Sequence, residues 1–124
     1  MKRGYLRRHS KNPRKRLFDR AWKAFRDYII KRDKNVCFTC GKWGDNGGHF
    51  IHGKEKPTYF DPKNVHCQCR RCNLFLDGNR DEYLRKIQLK YGIKKGDQLL
   101  KQKYQIKRWS VKELEKIIEK YKTK

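Results

Sequence analysis

No stretch of this chain is long or apolar enough to span a bilayer, and its basic N-terminus lacks the apolar run of a secretory signal. Acidic side chains are scarce: 13 Asp and Glu stand against 35 Lys and Arg, a formal net charge of +22. Apolar residues are scarce as well, at 35% of 124 residues, below the usual share for a globular domain. A thin core in a chain of single-domain length calls for a metal or disulfides to hold it. The five cysteines leave one thiol over in any disulfide framework. Without a secretory signal the expected compartment is the cytoplasm, where clustered cysteines serve as metal ligands. There is no internal repeat, no low-complexity segment and no helix that reads as a base-specific reader. What remains in excess is positive charge, and its natural partner is a polyanion. Nucleic acid fits best, with a membrane surface as the competing polyanion.

Residues 1–13 hold Lys2, Arg3, Arg7, Arg8 and Lys11 with little that could pack. They read as a basic arm, either laid along a phosphate backbone or simply solvated. From Arg14 to Lys34 the apolar positions Leu17, Phe18, Ala21, Trp22, Phe25, Tyr28 and Ile29 form a helical stripe, with Asn12-Pro13 as cap and first turn. Helix signals then vanish, and Gly and Pro recur from Asn35 to Cys69. That is turn and short-strand territory, with strands expected over Gly48–His52 and Asn64–Gln68 and a loop over Gly53–Lys63 that is long for a hairpin. Helical patterning returns at Cys72–Phe75, again from Asn79 or Asp81 to Tyr91, and over 96–106. Ser110-Val111-Lys112-Glu113 is a capping box that opens a last helix.

Two Cys-x-x-Cys pairs, Cys37/Cys40 and Cys69/Cys72, have the spacing of metal knuckles. Two intervening residues let both thiolates reach one ion, and two such pairs fill a tetrahedral zinc site. Zinc held by four thiolates has no open position, so it would be a structural staple. Cys67 is the spare, pointing to the strand face opposite His66 and Gln68 and read as a small core residue.

Between the knuckles lie the residues suited to chemistry. His49 follows Gly47-Gly48, and Asn64, His66 and Asn73 flank the second knuckle. Phosphodiester hydrolysis needs a base for water, a cation at the phosphate and a sink at the leaving oxygen. A neutral His49 suits the base. The Asn73 carbonyl is a hard donor suited to Mg²⁺ or Mn²⁺, and the Asn64 amide is placed to pin loop backbone.

Cys37-x-x-Cys40, Gly48-His49 and Asn64-x-x-x-x-Cys69-x-x-Cys72-Asn73 resemble the HNH, or ββα-metal, nuclease motif between the halves of a zinc ribbon, with Asn73 in place of its last histidine. The Cys-x-x-Cys-Asn ending is similar to that of phage endonuclease VII. Gly48-His49-Phe50, Asn64-Val65-His66, Asp77-Gly78-Asn79 and Tyr83 resemble the phage NinG (Rap) recombination family most closely, over about residues 20–122. The resemblance implies an α+β fold: a small zinc-stapled, treble-clef-like ββα-metal core over about 35–92, in a single nuclease domain of residues 14–124. Flanking helices would lie N-terminally and over about 96–123. It also implies a metal-dependent, structure-selective endonuclease acting on branched intermediates such as Holliday junctions or D-loops, in the cytoplasm of a bacterial host. Many HNH motifs place a metal-binding Asp where this chain has Gly48. His66 is the first candidate for the second hard ligand, with Asp45, His52 and Asp61 behind it.

The rival reading is a non-catalytic, zinc-stapled nucleic-acid-binding module. Both readings explain the charge and the cysteines; only the nuclease explains the placement of His49, Asn64 and Asn73. On either, the partner is DNA recognised by shape and backbone. Arg70 and Arg71 are candidates to clamp phosphate or are merely exposed. Trp43, Phe50, Tyr59 and Phe60 are candidates to stack on unpaired bases or to pack the core. Resolving a junction takes two cuts, which makes a homodimer attractive.

Overall fold

The computed structural model describes residues 12–124, so all but the end of the basic arm expected over 1–13 lies outside the described residues. The chain is α+β: helix α1 (Pro13–Arg32), strands β1 (Asn46–His49) and β2 (Val65–Gln68), a π-helical turn (Arg71–Phe75), then helices α2 (Arg80–Tyr91), α3 (Ile93–Gln102) and α4 (Val111–Tyr121). It forms two compact units, Ile29–Arg108 and the flanking described residues up to Tyr28 with Trp109–Lys124. These units divide the 14–124 stretch that the sequence reads as one domain.

The flanking unit follows from its amphipathic patterns. Asn12 Oδ1 accepts from the Arg14 amide at 2.9 Å and starts α1. Ser110 and Glu113 exchange side-chain-to-backbone hydrogen bonds at 3.1 and 2.9 Å and start α4. Phe25 meets Tyr121 edge-on at 5.0 Å, and Phe18, Ala21 and Leu114 are buried.

The larger unit is organised by β1 and β2, which pair antiparallel with Gly48 opposite His66 and His49 opposite Val65. The first strand begins two residues earlier than the sequence suggests and ends at His49. Phe50 and Ile51 leave the sheet and drop into the core, where they join Tyr83, Ile87 and Leu99. All four β2 residues are buried. The chain enters the hairpin through Arg32 and Asp33. Asp33 Oδ2 accepts from the Cys67 amide at 2.8 Å, and the Arg32 guanidinium donates to the Val65 carbonyl at 3.0 Å and the Pro62 carbonyl at 2.8 Å.

Candidate functional site

Each knuckle is shaped by backbone hydrogen bonds. The Cys37 amide donates to the Lys42 carbonyl at 2.7 Å and the Gly41 amide to the Cys37 carbonyl at 2.8 Å. The Phe38 amide donates to the Cys67 carbonyl at 2.8 Å, tying the first knuckle to β2. In the second knuckle the Cys72 amide points at Cys69 Sγ, 3.4 Å away. The sulfurs of Cys37, Cys40, Cys69 and Cys72 all lie within 4.8 Å of one another, and those of Cys40 and Cys69 are 3.6 Å apart. Four thiolates around a tetrahedral ion at zinc–sulfur distance sit ~3.8 Å apart, so the quartet fits such an ion and could hold it.

The electrostatics of the quartet point the same way. Burial resists ionisation of Cys37, but hydrogen bonds from Thr39 and from nearby backbone amides outweigh it and bring the thiol down to about 6. Burial and the neighbouring sulfurs push Cys40 up to about 12. Four crowded thiols do not ionise together without a cation among them. Cys67 stands apart, fully buried in β2, with its thiol donating to the Gly44 carbonyl at 3.3 Å.

His49 closes β1. Its ring stacks on Tyr59 with centroids 4.4 Å apart, and Nε2 lies 3.0 Å from the Tyr59 carbonyl. A carbonyl only accepts, so Nε2 carries the proton and the basic lone pair of the neutral ring is at Nδ1. Burial is the main force on its titration and lowers the pKa to about 4, against the opposing hydrogen bond to Tyr59.

Asn64 is fully buried. Its Oδ1 accepts from the Ile51 amide at 2.8 Å, and its Nδ2 donates to the Ile51 and Thr58 carbonyls at 3.1 and 3.0 Å. The carboxamide therefore ties the chain just after His49 to the loop that presents the Tyr59 carbonyl.

His66 requires a correction. The Tyr83 hydroxyl donates to the Gly48 carbonyl at 2.7 Å. It must then accept from His66 Nδ1, 3.0 Å away, which leaves His66 Nε2 to accept from the Tyr91 hydroxyl at 2.8 Å. The ring stacks on Phe38 at 3.8 Å, and burial lowers its pKa to about 2. Both nitrogens are satisfied in the interior, so His66 has no lone pair to offer an ion or a proton in transit. Its effect runs through Tyr83 to the Gly48 carbonyl, one residue before His49.

The other expected residues spread out. Asn73 is half-buried on the π-helical turn, and Arg70 and Arg71 at its start are exposed. Asp61 accepts from the Lys63 amide at 2.9 Å and pairs with Lys95 at 3.3 Å. Asp45 and His52 are exposed. Phe50, Tyr59 and Phe60 are buried, which gives them to the core, whereas Trp43 is 69% exposed. Among the described residues no cluster of three or more His, Cys, Asp or Glu side chains gathers apart from the cysteine quartet.

The chain matches the family described as Bacteriophage Lambda NinG protein over residues 2–124. It belongs to the NinG family. Curated family members similar to it include the protein ninG of Escherichia phage 933W, 29% identical over 126 residues that cover 96% of this chain and 61% of the relative. The proteins ninG of Salmonella phage P22 and Escherichia phage lambda are 28% and 26% identical over the same share of this chain. The chain thus spans about three-fifths of the length of these family members. No solved structure matches it. Gly48 and His49 lie on β1 of the hairpin, Asn64 directly precedes β2, and the two Cys-x-x-Cys pairs form the cysteine quartet. Tyr83 is among the residues that carry the resemblance, but nothing in the sequence links it or Tyr91 to His66: both lie on a helix well downstream of β2, and only the fold brings them to the histidine.

Proposed function

We propose that this chain is a metal-dependent, structure-selective DNA endonuclease of the HNH (ββα-metal) type, hydrolysing phosphodiester bonds in branched recombination intermediates such as Holliday junctions and D-loops. The observation that carries this reading is the setting of His49: a half-buried imidazole whose Nε2–H is anchored on the Tyr59 carbonyl. This leaves Nδ1 as the basic nitrogen. With a pKa near 4 the ring is neutral at pH 7, the state a general base requires. A phosphate arriving beside it favours the protonated form, so the base strengthens as substrate binds. Asn64 is a positioning residue, holding Ile51 and Thr58 so that the Tyr59 carbonyl stays against His49.

Zinc in the cysteine quartet would staple the hairpin to the π-helical turn. The Asn73 carboxamide would hold a Mg²⁺ or Mn²⁺ ion together with substrate phosphate, and that ion, when bound, supplies positive charge at the phosphate. Arg70 and Arg71, exposed at the start of the same turn, would contact the DNA backbone. The net charge of +22 supports a polyanionic partner. The bacterial cytoplasm is where a phage protein of this kind would meet its DNA.

The test is cleavage of a four-way junction with and without Mg²⁺, by the wild type and by His49→Ala. The wild type should cut only with the ion. The variant should lose cleavage while keeping its zinc and its affinity for the junction. Junction binding without cleavage in Mg²⁺ or Mn²⁺ would overturn the nuclease and leave a zinc-stapled binding module.

A further inference from the structure

Two residues beyond His49 the chain borders a second feature. Ile51, His52, Arg80, Lys103 and Tyr104 line an open cleft of about 320 Å³, within the size range of small-ligand pockets (about 300–1,000 Å³). Its lining is chemically one-sided. Ile51 is a buried apolar contact at 2% exposure, while His52, Arg80 and Lys103 supply nitrogen donors and no carboxylate takes part. Tyr104 is 77% exposed, and the Lys103 ammonium sits 5.1 Å from its ring centroid.

This cleft is built rather than incidental. The Lys56 ammonium donates to the Lys103 carbonyl at 2.6 Å, and the Lys107 amide donates to the Glu55 carbonyl at 2.9 Å. Two straps from the long 53–63 loop thus fix the turn that carries Tyr104. On the other wall, Arg80 lies over Phe50, 5.5 Å from its ring centroid, which holds the guanidinium at the cleft. A large aromatic ring is therefore held in solvent beside three nitrogen-bearing side chains, where its own core gains nothing from it.

We propose that this cleft seats one unpaired nucleotide of the DNA substrate, its base stacked on Tyr104 and its phosphate met by Arg80 and Lys103. The proposal rests on the DNA-binding reading above and adds a determinant of structure selectivity. The reasoning is chemical. Cationic side chains alone would serve any phosphate, paired or not. An exposed ring adds a π-face, and only a base released from its stack offers a face in return. A fully paired duplex presents base edges in its grooves and gives Tyr104 nothing to stack on. A branch point supplies such a base, and the cleft lies two residues along the chain from the proposed general base.

The full chain with its metal bound is titrated with two DNAs of equal length. One is a flush duplex; the other carries a single unpaired 2-aminopurine, whose fluorescence falls when it stacks. The wild type should prefer the second DNA and quench its fluorescence. Tyr104→Ala should weaken binding to that DNA by about tenfold, in the range of one base–aromatic stack, and leave the flush duplex unchanged. Tyr104→Phe should keep the preference, and Arg80→Gln should weaken both DNAs. If Tyr104→Ala binds both DNAs as the wild type does, or loses affinity for both equally, the nucleotide seat is wrong even though DNA binding stands. A wild type that binds neither DNA removes the nucleic-acid reading and this proposal with it.

Discussion

At Gly48 a side chain is excluded by one residue across the hairpin. A Cβ built there would lie 1.9 Å from Gln68 Oε1 and 2.7 Å from its Cδ. The Gln68 carboxamide cannot easily retreat, because its Nε2 donates to Thr39 Oγ1 at 3.1 Å and to the Gly78 carbonyl at 3.0 Å. The space a side chain at Gly48 would enter is thus filled by the Gln68 carboxamide. Gly48→Ala should destabilise the fold by ~1–3 kcal/mol through overpacking. Adding Gln68→Ala should return part of that loss, because the two changes share one volume. Urea midpoints of the two single variants and the double variant decide it; additive losses would show that the clash is not the cause. The titration of His49 gives a second prediction. Its folded pKa of about 4 lies below the unfolded value of ~6.5. The unfolded chain therefore binds more protons in that window, and stability falls as pH drops from ~6.5 towards 4. His66, held to about 2 by burial, adds a loss of the same sign that continues lower. Denaturant midpoints measured from pH 8 to 4.5 should fall for the wild type and fall less steeply for His49→Gln. The loop-pinning carboxamide of Asn64 is legible in the sequence. The role of Gln68 is not, because it depends on Gly48, its diagonal neighbour on the paired strand.

The hairpin and the π-helical turn are where sequence and structure agree in kind and differ in detail. The Gly- and Pro-rich stretch predicts two short strands, and two form, but β1 stops at His49 instead of running to His52. Beyond that point Phe50 and Ile51 are both buried in the core, outside the register that pairs β1 with β2. The helix expected over 96–106 starts at Ile93. It ends at Gln102, and Gly96 sits inside α3, where a Cβ would come within 3.1 Å of Leu84 on α2. Patterning reports that a helix exists without fixing its bounds. The same non-local logic governs the chain from Tyr91 through His66 and Tyr83 to the Gly48 carbonyl. Tyr83→Phe removes one oxygen and leaves the buried His66 N–H and the Gly48 carbonyl short of a partner. That should cost ~1–3 kcal/mol of stability. If the relay also sets the strand before His49, cleavage should fall by more than stability explains. Cleavage measured well below the melting temperature, with junction affinity unchanged, tests this; wild-type rates in a destabilised Tyr83→Phe would confine the relay to packing.

For the whole molecule the deciding contrast is between one dense ligand cluster and a large excess of positive charge. Four sulfurs gather within 4.8 Å, and among the described residues no second set of three or more His, Cys, Asp or Glu side chains gathers elsewhere. A second, catalytic divalent ion would then depend on the Asn73 carboxamide, water and oxygens brought by the DNA. Ion and DNA should accordingly promote each other's binding, since coupling between two ligands is reciprocal. With a net charge of +22, the chain by itself repels a dication, whereas bound DNA reverses the sign of the local field. Mn²⁺ titrated into the zinc-loaded His49→Ala chain should remain largely free by electron paramagnetic resonance. Adding a four-way junction should take up more Mn²⁺ than chain and junction do separately. Asn73→Ala should remove that extra uptake while leaving junction binding intact. Equal Mn²⁺ affinity with and without DNA would mean a preformed site and would require ligands other than those proposed. Raising the salt should weaken junction binding steeply through counterion release. If the ion is recruited through the phosphate, the extra Mn²⁺ uptake should disappear over the same salt range as the DNA.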